Sequence, residues 1–488
     1  MTEAGGPAVT PDPADPTSGS VAGGAGGSTD ELIGLLEHWL PEQRWFAGRG
    51  RERGPIRVVS RTPVAKVRGD AEVELVLLEI DISVGGTPTV QRYQLWLGWH
   101  PWLPQILDHA RIGSAGNWTA YDALHDSEVS ALLLQHLAAG AVVGDLRFEP
   151  EPGTVIDTTA PGLPIGAEQS NTSIVYGQSS ILKMFRRLEP GPNPDAEVHR
   201  ALHAIGGKHV ATPLGTLTGI VDGVDTTLGV LMTFFAGSAE GWAMATTSVR
   251  DLMAEGDLRA DEVGGDFAAE SLRLGKAVAE VHADLATAFG TAELTDAERA
   301  HLAAGMAESA KATALLVPEV EAALEPVLET FARFAADPTP LTVQRIHGDL
   351  HLGQTLRVLV GGWAILDFEG EPAKPLAYRR ALYSPLKDIA GMLRSFDYAA
   401  HHSLVGRAPD GQHQYRATEW ARRNRAAFCE GYASVAGSDP RDHPAVLAAF
   451  ELDKAVYEVA YEYGHRPAWV PIPLQAINRL ITSNGGRS

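Results

Sequence analysis

Three things are scarce in this chain of 488 residues. Cysteine is nearly absent: Cys429 is the single one, so no disulfide can close within the chain, which suits a reducing compartment. Basic charge is outnumbered, with 40 Lys and Arg against 61 Asp and Glu. The resulting net charge of −21 argues against a nucleic-acid or anionic-membrane surface, because neutralising phosphates takes clusters of Lys and Arg. Long apolar runs are also missing. None reaches the ~20 residues of a membrane span, and the N-terminus has no basic stretch followed by an apolar core, so a cytoplasmic protein is expected. What remains is a chain of 44% hydrophobic content, ample for two or three packed domains, with a small soluble molecule as the expected partner.

Residues 1–28 hold no large apolar residue beyond Met1, Val9 and Val21, too little to offset the entropy of ordering, and read as a disordered tail. Ser28-Thr29-Asp30 is a helix-start signal before Leu32, Ile33, Leu35 and Leu36. Val73–Ile80 and Tyr93–Leu97 alternate on either side of Gly85-Gly86 as an antiparallel pair, and residues 120–140 look helical. Residues 29–140 are thus expected to form an α+β cap.

A second pair, Thr172–Tyr176 and Ser180–Phe185, meets across Gly177-Gln178 and places Lys183 on one face with Ile181 and Phe185. That turn has a single glycine, so Glu168 to Ser173, including Ser170, is the candidate to cover phosphates. The apolar run Leu228–Gly237 would close this unit, 141–237, with adenine-binding backbone near Thr233 to Phe235 or simply as a buried strand. Residues 238–488 are mostly helical, including Leu386–Ala400, near whose start Asp388 is either a helix-start residue or a loop anchor.

The chemistry is concentrated in His347-Gly348-Asp349-Leu350-His351-Leu352-Gly353-Gln354 and Ala364-Ile365-Leu366-Asp367-Phe368-Glu369. Asp349 is followed five residues later by Gln354, and thirteen residues after that by Asp367 at the end of an apolar run. Kinases use this spacing to hold a metal-bound nucleotide beside a substrate hydroxyl: Asp349 would accept the hydroxyl proton, while Gln354 and Asp367 would offer oxygen ligands to Mg²⁺. His347 and His351 have the spacing of a helical zinc pair, but Gly348 and Gly353 argue for a loop and no further ligands follow.

These motifs, with Asp367-Phe368-Glu369-Gly370-Glu371-Pro372, Ser384–Tyr398, Trp39–Gly48, Glu168–Thr172, Lys183–Gly191 and Tyr457–Glu462, resemble actinobacterial maltokinases across roughly residues 30–480. The resemblance implies an α+β, two-lobed, protein-kinase-like fold of the aminoglycoside phosphotransferase type, with an N-terminal cap and a mostly helical C-lobe. It implies ATP and Mg²⁺ as cofactors, Lys183 as the phosphate lysine, Glu197 as its helix partner (Asp195 being the alternative), Asp349 as the catalytic aspartate, Gln354 and Asp367 as metal ligands, and Glu369 as an outer-shell metal contact.

The segment Leu376–Ser384, with Tyr378, Leu382 and Tyr383, is more aromatic and apolar than the maltokinase pattern. This favours glucosamine, the acceptor of a related actinobacterial kinase group, phosphorylated at its 6-hydroxyl; maltose, giving maltose 1-phosphate, is the alternative. An aminoglycoside phosphotransferase and a silent pseudokinase are further alternatives. For the sugar, Glu458, Glu462 and His465 share one helical face that Pro467 should end, with Trp469 just beyond. Carboxylates suit an ammonium and a flat ring suits a sugar face; a solvated acidic face is the bland reading. Asp453 and Lys454 could sit one turn earlier at the same site. Asp349 and His351 would complete the acceptor contacts.

Overall fold

The computed structural model describes residues 27–67, 71–84, 87–166, 171–255, 259–372, 374–407 and 410–485. The expected tail lies outside them, save Gly27 and Ser28, as does Ser170. The chain forms two compact units. One runs to Leu132 and includes Ala167–Thr172 and Arg186–Leu188; the other holds Leu133–Gly166, Ser173–Phe185 and everything from Glu189 onward.

In the first unit, α1 (Thr29–Trp39) begins at Ser28. The Ser28 hydroxyl accepts from the Glu31 N–H at 3.3 Å while the Glu31 carboxylate accepts from the Ser28 N–H at 2.8 Å, a reciprocal cap. The strands β1 (Arg53–Val67), β2 (Ala71–Val84), β3 (Thr87–His100), β4 (Arg111–Ala115) and β5 (Trp118–Asp122) are ordered β1-β2-β3-β5-β4. The expected pair is present as β2 and β3, with Leu78 opposite Tyr93. Leu78, Ile80 and Ile82 point one way into a core shared with Leu32, Leu36, Tyr93 and Trp99. The helix expected from residue 120 begins only at Ser127, as α2 (Ser127–Ala139). Residues 118–122 are strand instead, because Trp118, Thr119 and Tyr121 suit a pleated strand, which here pairs with β3 on one side and β4 on the other.

A seven-stranded sheet is built from β6 (Val142–Val143), β7 (Leu146–Pro150), β8 (Gly162–Ile165), β9 (Asn171–Tyr176), β10 (Ser180–Phe185), β12 (Pro213–Val221) and β13 (Val224–Thr233), in the order β6-β7-β12-β13-β10-β9-β8. The short β11 (Arg187–Leu188) pairs with β3 in the first unit. Lys183 stands opposite Val230 in the middle of the sheet. Asn193 caps α3 (Pro194–Ala204), its side chain accepting from the Asp195 N–H at 2.8 Å.

The rest is helical: α4 (Gly241–Ala254), α5 (Ala268–Phe289), α6 (Asp296–Leu316), α7 (Glu321–Ala336), α8 (Leu376–Arg380), α9 (Leu386–His401), α10 (Gly411–Ala436), α11 (Pro444–His465) and α12 (Pro471–Gly485). Between them run β14 (Ala239–Glu240), β15 (Thr291–Glu293), β16 (Thr342–Gln344), β17 (Thr355–Val358) and β18 (Gly362–Ile365). Helix α9 is buried on every side from Asp388 to His401, the mark of a central helix. Helices α5 and α10 touch backbone to backbone: a Cβ on Gly275 would lie 2.1 Å from the Phe428 carbonyl oxygen, and one on Gly431 2.0 Å from that of Leu272. Among the described residues no helix is long and apolar enough to cross a membrane.

Candidate active site

The loop between β16 and β17 carries Asp349, and α9 holds that loop in place. Asp388 accepts the N–H groups of His347 at 2.7 Å and Gly348 at 2.8 Å, and His282 Nε2 lies 3.1 Å from it. Of its two possible roles, Asp388 is the loop anchor. Gly348 has φ +85°, a conformation that costs glycine little. The His347 Nε2–H donates to the Leu366 carbonyl at 2.7 Å and its Nδ1 accepts the Asp349 N–H at 3.2 Å, so His347 ties the loop to the strand that delivers Asp367. Asp349 Oδ1 lies 2.9 Å from the Lys454 ammonium, which also reaches Glu371 at 3.3 Å. Burial pushes the Asp349 carboxyl up, but Lys454 and the neighbouring His351 and His347 outweigh it and hold the carboxyl at about 2.

A second cluster surrounds Lys183. Its ammonium is 2.8 Å from Asp367, 2.8 Å from Glu369 and 3.3 Å from Asp195. Asp367 also accepts from the Gln354 amide at 3.2 Å. It is one of two non-glycine residues with positive φ among the described residues, at +63°. The helix partner of Lys183 is therefore Asp195, and the assignment to Glu197 is corrected. Asp195 is the second residue of α3 and points at the lysine; it also accepts the Phe368 N–H at 2.8 Å. Glu197, two residues on, faces away to Arg345 at 3.4 Å and Arg380 at 3.5 Å. Burial drives the Glu369 carboxyl up; Lys183 opposes this, while Asp367 and Asp195 add to it. Burial acts likewise on Asp195, but Lys183 and His199 overcome it and hold that carboxyl low.

Asp195, Asp367 and Glu369 each bring a carboxylate oxygen within 4.8 Å of the others. Three carboxylates around one ammonium leave an excess of negative charge on hard oxygen donors. That donor set fits a divalent cation such as Mg²⁺.

The remaining sequence candidates fall as follows. The Thr233 N–H and hydroxyl are both engaged with Thr212 at 2.9 Å, so its N–H serves the sheet. The Phe235 N–H has no acceptor among the described residues. The His351 side chain accepts the Gly353 N–H at 3.0 Å and shapes the turn that presents Gln354. Glu458 is spent on Arg394 at 2.7 Å and Glu462 on Arg466 at 2.7 Å, while Trp469 stacks near Tyr398 and under the Arg466 guanidinium. None of these three lines the cavity beside Asp349: the two glutamates face Arg394 on α9 and Arg466 just past α11, and Trp469 lies beyond the end of that helix.

That cavity, of about 600 Å³, is lined at its charged part by Asp349, Glu371, Asp453, Lys454, Lys374 and Lys387. Tyr378 and Tyr383 form an aromatic wall, with the Lys387 ammonium 4.8 Å and 4.5 Å from their ring centres. The Asp453 carboxylate accepts no hydrogen bond among the described residues, and burial, with Glu371 nearby, raises its proton affinity although Lys387 opposes this. Sequence reasoning put Asp453 and Lys454 only at the margin of the site. Their signal was the four-residue step back from Glu458 to Lys454. Glu371 gave no signal beyond its place in the motif.

Residues 39–126 match the maltokinase N-terminal cap domain. Over 351 residues, 68% of this chain and 77% of the relative, the sequence is 29% identical to the glucosamine kinase of Streptacidiphilus jiangxiensis. Over 330 residues it is 28% identical to that of Mycolicibacterium smegmatis, covering 65% and 79% of the two chains. A solved glucosamine kinase in complex with glucosamine, ADP and inorganic phosphate aligns at TM-score 0.64 and 23% identity, over 88% of this chain and 94% of that one. A second glucosamine kinase structure aligns at TM-score 0.66 and 22% identity, over 92% and 99%. The chain therefore has the glucosamine kinase fold, the kinase-like α+β architecture expected from its motifs. The resemblance to maltokinases and the related glucosamine kinases is borne out.

Proposed function

We propose that this protein is an ATP-dependent glucosamine kinase that yields glucosamine 6-phosphate and ADP, acting in the cytoplasm where ATP is supplied. The observation that carries the reading is the Asp453 carboxylate, which faces the same cavity as Asp349 and accepts no hydrogen bond among the described residues, with Lys387, Lys374 and Lys454 countering its charge from beyond hydrogen-bond distance. A half-buried carboxylate with raised proton affinity is stabilised by an incoming ammonium, and glucosamine supplies one where glucose and maltose do not. The similarity to glucosamine kinases supports the same acceptor.

In the reaction a bond forms between the sugar oxygen and the γ-phosphorus as the bond to the β–γ bridging oxygen breaks, and ADP leaves. Asp349, ionised at any physiological pH, orients the sugar hydroxyl and takes its proton. Lys183 faces the phosphates, and the Phe235 N–H is available to the adenine edge. Gln354 and Asp367, with Glu369 and Asp195 beside them, would hold Mg²⁺, which supplies charge neutralisation to the phosphates. Catalysis by such a site is mostly positioning and electrostatics, since the transition state is loose.

The test is coupled ADP release with Mg²⁺-ATP and glucosamine, maltose, glucose or N-acetylglucosamine. A clear preference for glucosamine is expected. The maltokinase cap over residues 39–126 favours maltose as the second reading, and preferential turnover of maltose would overturn the first.

A further inference from the structure

Resting on the glucosamine reading, we infer that the acceptor cavity has a second, apolar compartment, and that the protein also phosphorylates glucosaminides bearing an apolar aglycone. The charged groups of the cavity come from the catalytic loop, the segment after Asp367, the start of α9 and the middle of α11. Its apolar lining comes mainly from other elements, Leu302, Gly305 and Met306 on α6, Val343 on β16 and Leu382, joined by Phe450 on α11 one turn before Asp453. Cavities of about 300–1,000 Å³ hold drug-sized ligands, and a single hexosamine ring is well below that size. About 600 Å³ therefore leaves room beyond the ring, against a largely apolar wall in which α6 also sets Glu298, His301 and Ser309.

Two further features point to a ligand on that wall. Leu382 lines the cavity yet is 39% exposed, an apolar side chain left uncovered by the protein itself. Gly305 sits in the interior of α6, where glycine destabilises a helix relative to alanine. A Cβ built there would meet nothing within 4 Å, so no packing within the molecule requires the glycine. What it preserves is open space in the cavity. An amino sugar whose reacting hydroxyl lies at Asp349 and whose ammonium lies at Asp453 would direct a substituent from its anomeric carbon along this wall. The phosphoryl transfer itself is unchanged.

The experiment compares kcat/KM of the full chain with Mg²⁺-ATP on glucosamine, methyl β-glucosaminide and 4-nitrophenyl β-glucosaminide. The methyl glycoside controls for loss of the anomeric hydroxyl. The aryl glycoside is expected to exceed the methyl glycoside by about tenfold or more. Gly305→Trp, which fills the compartment, should abolish that ratio, whereas Gly305→Ala should keep it. Glucosamine turnover with no aryl preference, or a preference that survives Gly305→Trp, overturns the compartment alone. No glucosamine turnover overturns the underlying reading and the compartment with it. If Gly305→Trp does not fold, the wild-type aryl-to-methyl ratio decides.

Discussion

Two lysines in this molecule are held between carboxylates, and they differ in what surrounds them. Lys183 is 8% exposed and touches Asp195, Asp367 and Glu369, all drawn from α3 and the segment after β18. Lys454 is 20% exposed and touches Asp349 and Glu371, with Asp453 open to the same cavity. Around Lys183 the unbalanced charge sits on a closed knot of hard oxygens, the setting for a metal-bound nucleotide. Around Lys454 it sits on a wall reachable by a small molecule, the setting for an acceptor that is itself a cation. One motif, a lysine among acids, thus serves two ligands, and the third carboxylate, buried or open, distinguishes them.

The strongest way to break this comparison is to remove the group that links the two clusters to the chemistry. Asp349→Asn should lower kcat by ~10²–10⁴-fold with ATP binding, read by nucleotide titration, nearly unchanged. Retained turnover would remove Asp349 from its role. Asp453→Asn should lower kcat/KM for glucosamine by ~10–100-fold, the loss of about 1.5–3 kcal/mol for a hydrogen bond to a charged group, with the KM for ATP unaffected. An equal loss with an uncharged sugar would contradict the ammonium contact.

Lys454→Met acts on pH dependence. Asp349 works ionised, and its carboxyl sits at about 2, so the wild-type acid limb of kcat is expected near there. Without Lys454, burial is opposed only by His351 and His347, so the carboxyl rises toward the ordinary ~4 and activity should fail at correspondingly higher pH. The smallest effect belongs to Glu197→Gln. Its ion pairs are long and its side chain is 34% exposed, so stability should change by less than about 1 kcal/mol and kcat by less than about threefold. A collapse of activity there would restore Glu197 as the partner of Lys183.

Much of the fold was legible because local rules agree with the global ones. The β2–β3 alternation, the reciprocal cap at Ser28 and the helix over Leu386–His401 each announce themselves in the sequence. So do Lys183, Gln354 and Asp367, which meet in one cluster, and Asp349, which stands in the other beside Lys454. The failures have physical causes. Asp195 and Glu197 both lie in the first turn of α3, and only the seating of the helix decides which points at Lys183. The acceptor wall was sought at Glu458 and Glu462, but side chains four residues apart share a face without revealing what that face meets. Here it meets Arg394, Arg466 and Tyr398, while Lys454, one turn earlier, faces the cavity. Residues 120–122 were drawn into a helix by the pattern that follows them.

Asp367 keeps its backbone at φ +63° and its charge beside two other carboxylates, circumstances that work against folding and that the Lys183 ammonium at 2.8 Å offsets in part. Asparagine adopts that conformation as readily and relieves the crowding, so Asp367→Asn should melt at or above the temperature of the wild type while losing phosphoryl transfer; thermal scanning beside the ADP assay checks both. A breeder selecting this protein for heat resistance alone would therefore be steered toward inert variants, and any such screen must demand turnover at every round.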